Sequence, residues 1–176
     1  MKLFSHQSVK RYEMSTETDK ERRFVSIIEN NRGVITKVCY MYATDREHFK
    51  DLYQETLVNL WRGIDSFRGD SAVSTWIYRT AINTCLTIFR RSRNARATVS
   101  LDVVADMAAS GDERPALLKE MYRLISRLES LDKAIIMLWL DEHTYDEIAE
   151  ITGLQRNTIA TRLRRIKQRL VLDSEC

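Results

Sequence analysis

The chain has few of the residues that make turns: its 176 residues include five Gly and one Pro. An all-β protein needs frequent turns, so this scarcity favours an all-α fold. The sequence also has no apolar run that approaches the roughly 18 residues of a membrane-spanning helix. Its N-terminal segment lacks the apolar stretch of a signal peptide. We therefore expect a soluble, cytoplasmic protein.

Cysteine and histidine are also sparse. The three cysteines, Cys39, Cys85 and Cys176, are far apart and odd in number, which argues against a disulfide framework and for a reducing compartment. None lies at metal-ligand spacing from a histidine. We find no Gly-rich phosphate loop, no paired carboxylates on a loop and no catalytic set of Ser, His and Asp. We expect no metal, no cofactor, no small-molecule substrate and no enzymatic activity.

What the sequence does contain is helical periodicity, in two blocks. In "HFKDLYQETLVNLWRGI", for example, the apolar residues fall on one stripe of a helix. We predict helices in the first block at about 19–42, 49–64 and 74–91. In the second block we predict helices from Pro115, in 132–140 with Asp132 as the cap, from Thr144 to Gly153, and from about Gln155 onward.

The two blocks predict two small helical domains joined by a flexible linker. Residues 93–113 between them are small and polar and become acidic toward their end, as linkers often are. Residues 1–18 are polar and aperiodic, which is typical of a flexible tail. The predicted domains are therefore 19–92 and 114–172.

The stretch "TYDEIAEITGLQRNTIATRLRRIKQRL" has the pattern of a helix-turn-helix motif. Thr144 and Glu147 form a Thr-x-x-Glu capping box, and Gly153 ends that helix about two turns later. The second helix of such a motif enters the DNA major groove with its first residues against base edges, and Gln, Arg and Asn make bidentate contacts there. We predict base contacts from Gln155, Arg156, Asn157, Thr158, Thr161 and Arg162, and phosphate contacts from Arg164, Arg165, Lys167 and Arg169. The alternative is a basic helix that only faces solvent.

A second candidate for nucleic-acid binding precedes the linker. No Asp or Glu occurs between Asp70 and Asp102, although the net charge of the whole chain is only +3. This stretch and the residues just before it interleave aromatic and basic side chains, namely Phe67, Trp76, Tyr78 and Phe89 with Arg68, Arg79, Arg90 and Arg91. Aromatic rings stack on unpaired bases, and the adjacent loop "FRGDSAVS" offers a place for a flipped base. From the residues alone, packing of the rings in the core is an equal alternative.

Two stretches together resemble a known family: "DLYQETLVNLWRGIDSFRGDSAVSTWIYRTAINTCLTIFRR" and "LDKAIIMLWLDEHTYDEIAEITGLQRNTIATRLRRIKQRL". They are similar to regions 2 and 4 of bacterial RNA polymerase sigma factors of the extracytoplasmic-function (ECF, sigma-70-like) family. The resemblance covers residues from about 20 to 171. It implies a sigma region 2 domain of three to four helices, a sigma region 4 helix-turn-helix domain and a role in promoter recognition and transcription initiation.

The resemblance also implies partners and site residues. Core RNA polymerase would be bound on its β′ clamp helices by Asp51, Gln54, Glu55, Asn59 and Trp61, although from the residues alone a solvated face is the default interpretation. The β flap would lie against "DKAIIMLWL". The melted −10 element would be held by Phe67, Arg68, Ser74, Thr75, Trp76, Arg79, Asn83, Arg90 and Arg91, and the −35 element would be read by the helix-turn-helix residues named above. An anti-sigma factor is a further implied partner.

The residues leave two other functions open. A stand-alone helix-turn-helix regulator would need to dimerise on a palindrome, and the sequence offers no evident dimerisation helix. An enzyme that acts on nucleic acid would need metal-binding carboxylates or a nucleophile, and we find neither.

Overall fold

The structure, a computed structural model, describes residues 5–69, 71–91 and 115–174, with side chains for 18–69, 71–91 and 120–174. All regular secondary structure in these ranges is helical, which confirms the predicted fold class. The described ranges hold seven α-helices: α1 Ser5–Tyr42, α2 Arg46–Gly63, α3 Val73–Arg91, α4 Pro115–Ser126, α5 Ser130–Leu140, α6 Tyr145–Thr152 and α7 Arg156–Ser174. A 3₁₀ turn, Ile64–Ser66, follows α2. The predicted linker, 93–113, lies outside the described residues.

Helix α1 is longer than the sequence predicts. The helix start expected near Asp19 is wrong, because α1 already begins at Ser5, inside the predicted tail. The apolar periodicity begins only after that segment, so the sequence gives no signal for a helix there. Extending a formed helix nevertheless adds one hydrogen bond per residue without a new nucleation cost. The backbone of Asn31 leaves the helical region, with φ −122° and ψ 15°. Its side-chain amide donates to the carbonyl of Ile27 at 2.8 Å, so α1 consists of two helical stretches joined at a kink.

Helices α1, α2 and α3 form the region 2 half around a shared apolar core. The apolar stripe of α2 faces this core, where Leu52 and Leu60 are buried. Asp45 caps α2 by accepting a hydrogen bond from the backbone N–H of His48 at 2.8 Å. Cys39 on α1 and Cys85 on α3 are both buried in the same core as free thiols.

Helices α4 to α7 form the region 4 half, and its helix-turn-helix has the predicted geometry. Thr144 accepts a hydrogen bond from the backbone N–H of Glu147, whose carboxylate accepts one from the backbone N–H of Thr144 at 2.7 Å. Gly153 ends α6 with φ 74°, in the left-handed region that favours glycine. Ile148, Ile159 and Leu163 bury the facing sides of α6 and α7. The capping box and the glycine turn are confirmed.

The two halves are in contact in this structure. Helix α3 packs against α5 and α6, and α1 packs against α4 and α5, so the buried apolar residues form one continuous cluster. None of the described helices is both long and apolar enough to cross a membrane.

Candidate nucleic-acid interface

The start of α7 presents the predicted base-reading residues to solvent. Gln155, Asn157 and Thr158 are all exposed. The carbonyl of Gln155 accepts hydrogen bonds from the N–H groups of Thr158 at 2.9 Å and Ile159 at 3.1 Å, so Gln155 begins the helix. The remaining free N–H groups and the helix dipole make this end of α7 attractive to anions. The arrangement suits entry into a DNA groove.

Arg156 is exposed but tied to the first helix of the motif. Its Nε lies 3.2 Å from Oδ1 of Asp146, and its guanidinium carbon lies 5.9 Å from the ring centroid of Tyr145. Both side chains of the ion pair are well exposed, so the pair contributes little to stability. It does hold the guanidinium beside α6, at the edge of the reading surface.

Two arginines of α7 share one buried carboxylate, an arrangement that the sequence did not predict. Nη1 of Arg162 lies 2.5 Å from Oδ1 of Asp132, and Nη2 of Arg165 lies 3.6 Å from Oδ2. The Asp132 side chain is 8% exposed. The predicted capping role of Asp132 is wrong: α5 begins at Ser130, Glu129 is its cap residue, and Asp132 lies in the first turn. The signal that could have revealed this pair was an acid in the first turn of a mostly apolar helix.

The later side chains of α7 differ in whether they contact other described residues of the chain. The hydroxyl of Thr161 donates to the carbonyl of Asn157 at 3.0 Å. Arg164 is exposed and forms no ion pair with any residue that the structure describes. Nζ of Lys167 lies 3.5 Å from the ring centroid of Trp139, so this predicted phosphate contact covers an aromatic face of α5. Arg169 lies 3.9 Å from the carboxylate of Asp173 on the same helix.

In the region 2 half, the structure separates surface aromatics from core aromatics. Phe67 and Trp76 stack with ring centroids 4.9 Å apart and planes 24° apart, and both are half-buried. Tyr78 is only 4% exposed and belongs to the core. The sequence left open whether these rings bind unpaired bases or pack in the core. The structure leaves Phe67 and Trp76 available for bases and places Tyr78 in the core. Thr75, at 8% exposure, is also turned away from solvent.

The basic residues of α3 lie in two places. Arg79, near the start of the helix, donates a hydrogen bond to the carbonyl of Glu150 on α6 and lies 3.9 Å from its carboxylate. Arg90 and Arg91 are exposed in the last turn. Arg68 is exposed in the loop before α3, where Ser74 is half-buried at the helix start. The loop and the end of α3 are therefore the open parts of this surface.

A polar groove between α2 and α3 brings together residues that the sequence assigned to different partners. Its volume is 470 Å³, and its lining includes Glu55, Asn59, Asn83 and Arg91. The amide of Asn59 donates to the hydroxyl of Thr84 at 3.0 Å. Glu55 and Asn59 were assigned to polymerase, and Asn83 and Arg91 to the −10 element. The groove therefore joins the two predicted sets.

The remaining polymerase candidates are divided. Asp51 and Gln54 are exposed on α2 together with Glu55. Trp61 instead packs edge-on against Phe24 of α1, with centroids 5.1 Å apart, and Nζ of Lys20 lies 4.5 Å from its ring. Trp61 thus has partners within the chain, and its contact with polymerase stays a prediction.

Comparison with known proteins decides the family. The sequence profile of Sigma-70 region 2 matches residues 27–95, and that of Sigma-70, region 4 matches residues 118–170. The ECF RNA polymerase sigma-E factor of Salmonella typhimurium strain LT2 is 30% identical over 132 residues, covering 67% of this chain and 69% of that protein. The chain belongs to the ECF sigma factor family. The resemblance drawn from the sequence is confirmed, and this sigma factor acts in transcription initiation.

Other relatives agree. The ECF RNA polymerase sigma-E factor of Haemophilus influenzae is 29% identical over 164 residues, covering 84% of this sigma factor and 85% of the relative. RpoE from Bartonella quintana, solved with the anti-sigma factor NepR, has a TM-score of 0.63 at 19% identity, covering 86% of this chain and 94% of that chain. CnrH, solved with the cytosolic domain of CnrY, has a TM-score of 0.64 at 18% identity, covering 89% and 91%. At these identities the two structures support the fold. A stand-alone regulator is not favoured.

Proposed function

We propose that this sigma factor binds core RNA polymerase, reads the −35 duplex with α7 and holds unpaired −10 bases beside α3. The observation that carries the proposal is the pairing of two different surfaces in one chain. One is an exposed helix-turn-helix reading end, and the other is a half-exposed aromatic stack next to arginines. Duplex recognition uses the first kind of surface and single-strand capture uses the second. The mechanism is binding, and its site is the cytoplasm, where the bacterial polymerase works.

At the −35 element, Gln155, Asn157 and Thr158 are proposed to meet base edges. A bidentate amide contact with adenine discriminates by about 1–3 kcal/mol. Arg164 is exposed and without an ion pair among the described residues, so it suits a phosphate. Arg162 and Arg165 are proposed to act from fixed positions, because Asp132 holds both guanidinium groups.

At the −10 element, melting costs a few kcal/mol for each extruded base. Stacking of a base on an aromatic side chain returns about 1–3 kcal/mol. The Phe67–Trp76 stack is half-buried, so part of its ring surface is open to such a base. Arg90 and Arg91 are exposed in the last turn of α3, where they suit the strand backbone. Binding only the unpaired base shifts the duplex toward the melted state.

The exposed polar residues Asp51, Gln54 and Glu55 are proposed to contact the β′ clamp helices of core polymerase, because acidic groups suit a basic partner helix. The β flap is proposed to lie against α5, where Trp139 is 36% and Leu140 is 44% exposed. We also propose that an anti-sigma factor binds this chain, since the similar chains RpoE and CnrH were solved with NepR and CnrY.

Run-off transcription with core polymerase tests the proposal. We expect promoter-dependent products from fragments of the source genome only when the chain is added. The variant Asn157→Ala should weaken this product selectively at promoters with the recognised −35 sequence. Gln168→Ala, an exposed position later on α7, is the matched control and should leave the product unchanged. The absence of any promoter-dependent product from a library of genomic fragments would contradict the proposal.

The stand-alone regulator is tested by the free chain. Without polymerase, we expect weak promoter binding that falls steeply with salt, because contacts between basic side chains and phosphates carry most of it. Nanomolar, sequence-specific binding by the free chain at physiological salt would favour the regulator instead.

A further inference from the structure

We propose that the free chain is held closed by an intramolecular latch, formed by Asp141 of the region 4 half with Lys37 and Tyr78 of the region 2 half. The latch must open before the two halves can occupy both promoter elements. This inference rests on the proposed function, because the latch would prevent the two proposed DNA-binding surfaces from reaching the −35 and −10 elements together.

Asp141 directly follows α5, and both of its carboxylate oxygens are used by the other half of the chain. Oδ1 accepts from Nζ of Lys37 on α1 at 2.5 Å, and Oδ2 accepts from the hydroxyl of Tyr78 on α3 at 2.6 Å. The Asp141 side chain is 18% exposed. One carboxylate therefore joins three helices from two domains, and a charge-assisted hydrogen bond at such a shielded site is stronger than one in solvent.

Further contacts surround the latch. The hydroxyl of Tyr42 donates to the carbonyl of Ser130, at the start of α5, at 2.6 Å. The ring of Tyr78 meets the ring of His143 edge-on, with centroids 5.0 Å apart. Tyr42 and Tyr78 are 3% and 4% exposed, and they belong to the continuous apolar cluster. Opening the latch uncovers these rings, so the closed form has both polar and apolar support.

The closed form cannot serve both promoter elements at once. Elements centred near −35 and −10 are about 25 base pairs apart, or about 85 Å along B-DNA. In the closed chain, Arg79 on α3 donates to the carbonyl of Glu150 on α6. Arg156, at the reading end of α7, is six residues further along the chain, which is at most about 22 Å even if that segment is fully extended. The two reading surfaces therefore lie far closer together than their sites on DNA.

The contact between Arg79 and Glu150 also engages a side chain that is proposed to bind DNA. Arg79 belongs to the predicted −10 set, and in the closed chain its guanidinium is committed to Glu150. When only a fraction of molecules is open, the apparent affinity for a partner that requires the open form falls by that fraction. Weakening the latch should therefore strengthen the association with core polymerase.

The test compares two charge reversals in the full chain. Asp141→Lys places a cation opposite Lys37, and a cation just after a helix C-terminus is compatible with α5. Asp65→Lys is the matched control, because Asp65 pairs with Lys20 at the same 2.5 Å but within the region 2 half. Solution X-ray scattering should give a larger radius of gyration for Asp141→Lys than for the wild type, and an unchanged one for Asp65→Lys. Affinity for core polymerase should rise roughly 5- to 30-fold for Asp141→Lys, the factor for one to two kcal/mol.

Two further variants keep the test decisive. Lys37→Asp combined with Asp141→Lys restores the opposite charges and should return the radius of gyration toward the wild-type value. Tyr78→Phe removes only the hydroxyl, so the core stays filled, and it should open the chain in the same direction to a smaller extent. An identical radius of gyration for the wild type, Asp141→Lys and Tyr78→Phe would overturn the latch. Failure of the wild type to bind core polymerase would overturn the proposed function, while the scattering comparison would still decide the latch.

Discussion

The two candidate DNA surfaces of this sigma factor hold their side chains by different forces. On α7, Arg156 and Arg162 are fixed by ion pairs to acidic residues of neighbouring helices. Beside α3, Phe67 and Trp76 are fixed by ring stacking. Charge positions the duplex-reading surface, and packing positions the single-strand surface. The first should therefore respond to the loss of a carboxylate, and the second to the loss of a ring.

The largest expected effect is on region 4, from Asp132→Ala. The substitution leaves Arg162, whose side chain is 28% exposed, without its buried partner. Breaking a buried pair costs about 3–5 kcal/mol, and partial access of Arg162 to water favours the lower end of that range, about 3 kcal/mol. Thermal unfolding followed by circular dichroism measures the loss.

The matched control is Asp146→Ala, which removes the exposed partner of Arg156. Its cost should be below about 1 kcal/mol, as for other exposed ion pairs. Equal and small losses from both substitutions would show that Asp132 does not organise α7.

For region 2, Phe67→Leu keeps an apolar side chain and removes the aromatic face. The variant should lose the stacking of one base on the ring, which is worth about 1–3 kcal/mol. We therefore expect the equilibrium constant for promoter melting by the holoenzyme to fall roughly 5- to 150-fold. Permanganate reactivity of unpaired thymines reports the melting. Phe24→Leu makes the same change where the ring packs on Trp61, and it should leave melting unchanged. Equal effects of the two variants would remove the special role of Phe67.

Substitution in the turn between α6 and α7 should have a smaller effect on the free energy of unfolding. Gly153 has φ 74° and no atom within 4 Å of an added Cβ, so Gly153→Ala meets only backbone strain. We expect a loss of about 1–2 kcal/mol in the free energy of unfolding of region 4. Gly33→Ala, in α1 with equally open surroundings, should instead stabilise the chain by about 0.4–1 kcal/mol. Denaturant unfolding of both variants measures the difference, and a gain from Gly153→Ala would contradict the left-handed turn.

How far the sequence predicted each surface depends on how local its signals are. Thr144, Glu147 and Gly153 specify the helix-turn-helix within ten residues, and the structure has all three as expected. The partner of Asp132 is Arg162, 30 residues away, and the partner of Tyr78 is Asp141, 63 residues away. Periodicity predicts which face of a helix is buried, but it carries no information about which distant side chain meets it.

The region 2 surface illustrates the same limit. Tyr78 and Trp76 are two residues apart and chemically alike, yet one is in the core and the other is half-exposed. Helical spacing places them on different faces, and Tyr78 is covered from the other half of the chain by Asp141 and His143. The position of that half was not predictable from local signals.

The smallest expected effect is the response of the two helix caps to acid. The backbone N–H and then the hydroxyl of Thr144 hold the pKa of Glu147 below its usual 4.5, and the backbone N–H of His48 holds the pKa of Asp45 below its usual 3.8. A lowered pKa in the folded chain means that each cap stabilises fully above the unfolded value and loses this contribution as pH falls through the folded value. Unfolding between pH 6 and about 3 should therefore show a shallower acid loss in region 4 for Glu147→Gln, and in region 2 for Asp45→Asn. An acid loss that is the same in the wild type and in both variants would contradict the assignment of these caps.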